Sequence, residues 1–142
     1  MARDLSFTLH VLTARLDRAA DRLLRAEHDI TYSRFLALSL IGELGVSTQR
    51  ALADALGVTE PSISRMVGVL TAEGLLDAPG RTGRRHLNLS ARGKELVASV
   101  QHVLEDRFAA LVAESRVPYA EYAEHTTQLL ATLTRYEGEG TR

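Results

Sequence analysis

Cysteine is missing from all 142 residues, which rules out disulfides, thiolate nucleophiles, thiol redox sensing and thiolate metal sites. Tryptophan is absent too. No uninterrupted apolar run approaches the roughly 18 residues that a membrane span needs, and the opening Met-Ala-Arg-Asp-Leu-Ser-Phe lacks the apolar core of a signal peptide. A cytoplasmic protein without a membrane partner is therefore expected. Charge of one sign is also scarce, the net being −1. What is present, 45% hydrophobic and 25% charged residues, is the make-up of a globular chain. Its length is that of one ordinary domain, able to bury about two-thirds of its unfolded surface.

The near-zero net charge hides a split. Residues 46–94 carry seven Arg/Lys against four acids, a net of +3, while the rest carries ten against fourteen, a net of −4. Between Arg81 and Lys94 there are five bases and no acid. Such an asymmetry points to a polyanionic partner more directly than the average does.

Apolar spacing predicts six helices. Leu5, Leu9, Leu12, Leu16, Leu23 and Leu24 share one face of a helix over 5–28. Thr31 is a fitting cap for an almost wholly apolar helix over about 32–44, ended by Gly45 and expected at the centre of the core. Ser47 or Thr48 caps the third helix, which Gly57 ends. Thr59 caps the fourth, with Pro61 in its first turn and Gly74 at its close. Leu75–Ala78 and His86–Leu89 flank the turn-rich Pro79-Gly-Arg-Thr-Gly83, so a short hairpin is expected. Ser90 caps a fifth helix through about Glu114, and Pro118 restarts a sixth, with Tyr122, Leu129, Leu130, Leu133 and Tyr136 on one face. The tail Glu137–Arg142 is expected to fray. The fold class is mainly α with a small β-hairpin.

Two short helices followed by a basic hairpin make a surface shaped for duplex DNA. In the fourth helix Ile63, Met66, Val67 and Leu70 recur at i, i+3, i+4 and i+7 and must face the core. Ser62, Ser64 and Arg65 are left near the N-terminal end, where a recognition helix meets base edges and where first-turn amides favour phosphate. Arg65 can make a bidentate contact to guanine, and the small serines let the backbone approach. Thr59 and Pro61 complete this group. The bland reading is a helical hairpin with an incidental exposed arginine, and the basic hairpin that follows weighs against it. Arg81, Arg84 and Arg85 could be a solvated turn, or could enter a narrow minor groove and neutralise phosphates. Ser47, Thr48, Gln49 and Arg50 are expected backbone contacts, with Arg92 and Lys94 next.

Thr48-Gln-Arg-Ala-Leu-Ala-Asp-Ala-Leu-Gly57, Glu60-Pro-Ser-Ile-Ser-Arg65, Leu70-Thr-Ala-Glu-Gly-Leu-Leu76 and Leu87-Asn-Leu-Ser-Ala-Arg-Gly93 resemble the MarR family of bacterial winged-helix regulators. The placement of Pro61-Ser62 and Arg65 looks most like the SlyA branch. The resemblance implies a winged helix-turn-helix over 31–93 between dimerisation helices at 1–30 and 94–142. It also implies a homodimer on a pseudo-palindromic operator, and release of the DNA by small, often aromatic or phenolic, anions. Family wings usually carry an Asp two residues before a key Arg; here Gly83 stands there, ahead of Arg85, the residue expected to enter the groove. The dimer has a physical basis as well, because the stripes of the first, fifth and sixth helices have too little partner surface in one chain.

A small-molecule pocket would be lined by His10, Arg15, Tyr32 and Phe35, although core packing explains Phe35 equally well. His102–Glu105 and Glu121–His125 have helical spacings that could suit a metal, yet such pairs arise cheaply on amphipathic helices, and no metal or cofactor is expected. A repressor tuned by a small molecule is the leading reading, and a winged-helix module that binds protein without reading DNA is the alternative. An enzyme is not expected, because no nucleophile with its base, phosphate loop or convergent metal set is present.

Overall fold

Each helix of the chain starts at a residue suited to starting it. In the computed structural model, which describes residues 4–78 and 86–140, Asp4 accepts from the Ser6 amide at 3.1 Å and opens α1 (Leu5–Glu27). Thr31 accepts from the Arg34 amide at 3.2 Å ahead of α2 (Tyr32–Glu43). Thr48 does the same for Ala51 at 3.1 Å ahead of α3 (Gln49–Leu56), and Thr59 for Ser62 at 3.3 Å ahead of α4 (Glu60–Ala72). These bonds satisfy amides that a helix start leaves without partners. Ser90 Oγ accepts from the Gly93 amide at 3.0 Å and opens α5 (Ala91–Ser115), and Pro118 precedes α6 (Tyr119–Glu139).

Gly57 ends α3 with φ +67°, and Gly74 follows α4 with φ +76°, left-handed values that cost a side-chain-bearing residue strain. The α1–α2 corner is pinned by Asp21, whose carboxylate accepts from the Tyr32 amide at 2.9 Å and from Arg25 at 2.7 Å. The Tyr32 amide first, and then Arg25, hold that carboxyl below its ordinary value.

The chain divides into two compact units, Met1–Gln101 and His102–Arg142. In the first, α1 packs on α2, α2 on α3 and α3 on α4. Leu24, Leu38, Leu52, Ile63, Leu70 and Val100 are fully buried at its centre, and the core holds no buried charged side chain among the described residues. Each such side chain contributes ~1.5–3 kcal/mol relative to exposure. Leu44, expected in the core, is exposed, because α2 stops at Glu43 and the residue falls beyond its last turn. In the second unit Phe108 meets Tyr119 edge-on with ring centroids 6.4 Å apart, and the Tyr119 hydroxyl donates to Glu105. That bond, first of all, raises the Tyr119 phenol above its ordinary value.

Of the expected hairpin, Pro79–Gly83 lies outside the described residues. Its flanks Leu75–Ala78 and His86–Leu89 are joined by one antiparallel bridge, Leu76 with Leu89, where the Asp77 amide donates to the Asn88 carbonyl at 2.9 Å, and among the described residues they form no longer strand. The Ser90 amide donates to the Leu75 carbonyl at 3.1 Å, and this bond with that of Asp77 makes the bridge. Of the tail expected to fray from Glu137 to Arg142, residues 137–139 continue α6 and the Gly140 amide still reaches the Tyr136 carbonyl at 3.1 Å, while residues 141–142 lie outside the described residues. Among the described residues no helix is long and apolar enough to cross a membrane.

Candidate nucleic-acid interface

Helix α4 is anchored through Ile63, Val67 and Leu70, none more than 6% exposed. Helical spacing then fixes what remains outside. Ser64, Arg65 and Gly68 are exposed and Ser62 is half-buried, so the N-terminal half presents small polar groups and one guanidinium. A Cβ at Gly68 would meet nothing within 4 Å, which leaves the helix surface there open to close approach. Thr59 and Pro61 are exposed at the first turn.

Electrostatics adds a feature that the spacing did not single out. Glu60 stands in this first turn, an acid beside the candidate phosphate contacts, and Arg50 from α3 lies 4.0 Å from its carboxylate. Both side chains are exposed, so the pair is weak and open to exchange for a stronger anion. At the head of α3, Thr48 and Gln49 are exposed, while Ser47 is half-buried and its carbonyl accepts from the Leu87 amide at 2.7 Å. That bond ties the returning arm of the hairpin to the start of α3. Arg81, Arg84 and Arg85 lie outside the described residues.

Arg92 has a use beyond its charge: its Nη1 donates to the Glu73 carbonyl at 3.1 Å, across the end of α4. Gly93 is equally specific, because a Cβ there would collide with the Leu75 carbonyl. At Gly42 a Cβ would come within 2.6 Å of Leu89 Cδ1, so α2 and the hairpin root also meet over a glycine. Sequence spacing gave no sign of these approaches, which join residues 18 to 47 positions apart.

Of the four residues expected around a small molecule, Tyr32 and Phe35 are neighbours, and Asp17 links Tyr32 to the groove that holds His10. His10 lines a groove on the surface of α1 together with Leu9, Thr13 and Asp17, and Arg15 is exposed. Tyr32 is half-buried, 6.3 Å by ring centroid from Phe35, and Phe35 is a core residue. Burial, followed by the charge of the Asp17 carboxylate to which its hydroxyl bonds, pushes the Tyr32 phenol above its ordinary value. Two other cavities lie in the first unit. One of about 610 Å³ has Ile41, Leu89 and Val97 with Lys94 and Asp77 in its lining, and one of about 650 Å³ lies among Asp29, Glu73, Arg92 and Glu95. Of the His/Glu pairs, His102 faces Asp106 at 3.4 Å, and among the described residues no group of three or more such side chains could hold a metal ion.

Comparison with known proteins places this geometry. A search of curated proteins found no match. Among solved structures, MarR of E. coli in its apo form is similar over 94% of this chain and 99% of its own, at 21% identity and a TM-score of 0.71. The Staphylococcus aureus regulator MepR, solved in complex with DNA, is similar over 94% and 96%, at 21% identity and 0.67. A Mycobacterium tuberculosis MarR-family protein, solved with p-aminosalicylic acid, is similar over 91% and 98%, at 21% identity and 0.72. Residues 28–86, from the α1–α2 corner to the root of the hairpin, match the model of the MarR family. The chain thus has the fold of the MarR-type transcription regulators, with that family's sequence pattern across its central helices.

Proposed function

We propose that the protein is a sequence-specific DNA-binding transcription regulator, a repressor, that acts in the cytoplasm as a homodimer on a pseudo-palindromic operator. The observation that carries this reading is the division of α4 into a fully buried apolar face and an exposed N-terminal face of Ser64, Arg65 and Gly68. In this reading Thr59, Pro61, Ser62, Ser64 and Arg65 meet base edges and the adjacent phosphates in the major groove. Ser47, Thr48 and Gln49 hold the backbone, and Arg81, Arg84 and Arg85 belong to a β-hairpin wing. That MepR has been solved with DNA supports the assignment, and the placement of Pro61-Ser62 and Arg65 supports a SlyA-like branch. The exposed stripe of Leu129, Leu130, Leu133 and Tyr136 supports pairing of two copies through residues 1–30 and 94–142 on either side of a DNA-binding domain at 31–93. Two recognition helices would then stand about 34–36 Å apart, one turn of DNA.

A small aromatic or phenolic ligand would release the DNA, with His10, Arg15, Tyr32 and Phe35 as its contacts. The p-aminosalicylic acid in the mycobacterial structure supports that class. Selection of duplexes from a random pool, followed by binding at rising salt, tests the reading. A palindromic enriched site and a steep loss of affinity with salt are expected; no enriched half-site and no salt dependence would favour a protein-binding module instead. On the selected site Arg65→Ala should cost ~1–3 kcal/mol and relax the preference at one base pair per half-site.

A further inference from the structure

Three consecutive carbonyls just past α4 are taken up by Ser90 and Arg92 at the entry to α5, the Leu75 bond being one of the two that make the Leu76–Leu89 bridge. The Glu73 carbonyl accepts from Arg92 Nη1 at 3.1 Å, the Gly74 carbonyl from the Ser90 hydroxyl at 2.6 Å, and the Leu75 carbonyl from the Ser90 amide at 3.1 Å. Carbonyls at a helix end have no partner within the helix and are ordinarily left to water or a local turn. Here they form a neck instead. One hydroxyl, that of Ser90, both caps α5 through the Gly93 amide and holds the exit of α4. Gly93 permits the approach, since any side chain there would strike the Leu75 carbonyl. From the other side Arg34 of α2 reaches the Glu73 carboxylate at 3.7 Å, so Glu73 is held by main chain and side chain at once. The chain that leaves this neck as Leu76–Asp77 returns to it as Asn88–Leu89, and its direction relative to α4 is set where it crosses.

We infer that Ser90 and Arg92 are positioning residues for DNA recognition: they fix the direction in which the chain leaves the recognition helix at Leu76–Asp77. The inference rests on the DNA-binding reading above. It gives Arg92 a different role from the other arginines of the basic segment, because its guanidinium serves the Glu73 carbonyl rather than a phosphate. Ser90 carries no charge, yet is required to the same end. Loss of either would leave α4 folded but release the Leu76–Asp77 crossing from its direction relative to that helix.

The test uses the full chain and the duplex that the wild type selects. Ser90→Ala and Arg92→Ala are each expected to weaken that duplex roughly tenfold, with affinity for random duplex and the slope of log affinity against log salt unchanged. Ser90→Thr, which keeps the hydroxyl, should restore binding. A slope that falls by about 0.9 with equal weakening on every sequence would make Arg92 a phosphate contact and overturn its assignment. Equal losses on selected and random duplex, explained by the folded fraction measured by thermal melting, would reduce both residues to fold stability and overturn it as well. Should Arg92→Ala fail to fold, the Ser90 variants decide the same question. One readout needs no DNA: the Asp77 amide, bonded to Asn88 at the hairpin root, should exchange faster with solvent in Ser90→Ala than in Ser90→Thr. Unchanged protection sinks the neck whatever the DNA result, whereas a wild type that selects no duplex sinks the DNA-binding reading alone.

Discussion

Helices α4 and α6 are written with the same apolar spacing and have opposite fates. In α4 the stripe of Ile63, Val67 and Leu70 is at most 6% exposed, while in α6 Leu129, Leu130, Leu133 and Tyr136 are 54–64% exposed and the helix has no buried residue. The same contrast divides α1, whose Leu24 is fully buried while Leu5 and Phe7 are 68% and 55% exposed. An amphipathic pattern states that a helix needs an apolar partner. It does not state whether that partner lies in the same chain. For α4 a partner is close in sequence, on α3. For α6 a row of large apolar side chains in water marks an interaction surface, and in the proposed homodimer a second copy of the chain would meet that need with matching faces.

The comparison breaks if the two stripes respond alike to truncation. Leu70→Ala should remove ~2–5 kcal/mol of folding stability, because a fully buried leucine leaves a cavity that its neighbours only partly fill. Leu133→Ala, measured by chemical denaturation at high dilution, should cost less than ~0.5 kcal/mol. Equal costs would mean that α6 packs on its own chain in solution. A sharper version places charge on the stripe. Leu129→Glu with Leu133→Glu should leave the helical circular dichroism intact and reduce the mass measured by light scattering from that of a dimer to that of one chain. A wild type already of single-chain mass would leave the stripe to some other partner and remove the dimer from the proposed mechanism.

Local grammar made the helices legible and non-local contacts did not. Thr31, Thr48, Thr59 and Ser90 could be assigned as caps because a cap needs only a hydroxyl and the amides that follow it. Thr59→Ala should therefore lower stability by about 1 kcal/mol in thermal or chemical denaturation, and that effect should be separable from any loss of DNA binding, which Thr59→Ser would restore together with the cap. The outward face of α4 was legible for the same reason, since it follows from where Ile63, Val67 and Leu70 must point. The partner of Arg92 was not, because Glu73 is distant in sequence and a main-chain carbonyl leaves no residue-type signal. Gly93 looks like any glycine near a helix start until the chain is folded and Leu75 occupies the space of its missing Cβ. Leu44 was misplaced because its hydrophobicity outlasts its helix by one residue.

The smallest expected effect concerns Asp21, which stands one turn before Leu24, the buried residue of α1, and pins that end to α2. Its carboxyl lies below its ordinary value, chiefly through the Tyr32 amide and next through Arg25. A carboxyl whose folded value is lowered contributes stability at pH above the unfolded value of about 4 and loses it as pH falls through the folded one. Asp21→Asn keeps an oxygen that can accept from Tyr32 and removes only the charge. The variant should thus be slightly less stable than the wild type at neutral pH, with the gap in denaturation midpoint closing below about pH 4. The gap must be small, because the carboxylate is open to solvent and salt screens its attraction to Arg25. A gap that persisted unchanged in acid would assign the pin to shape rather than charge, and the buried end of α1 would then be held by Leu24 and its neighbours alone.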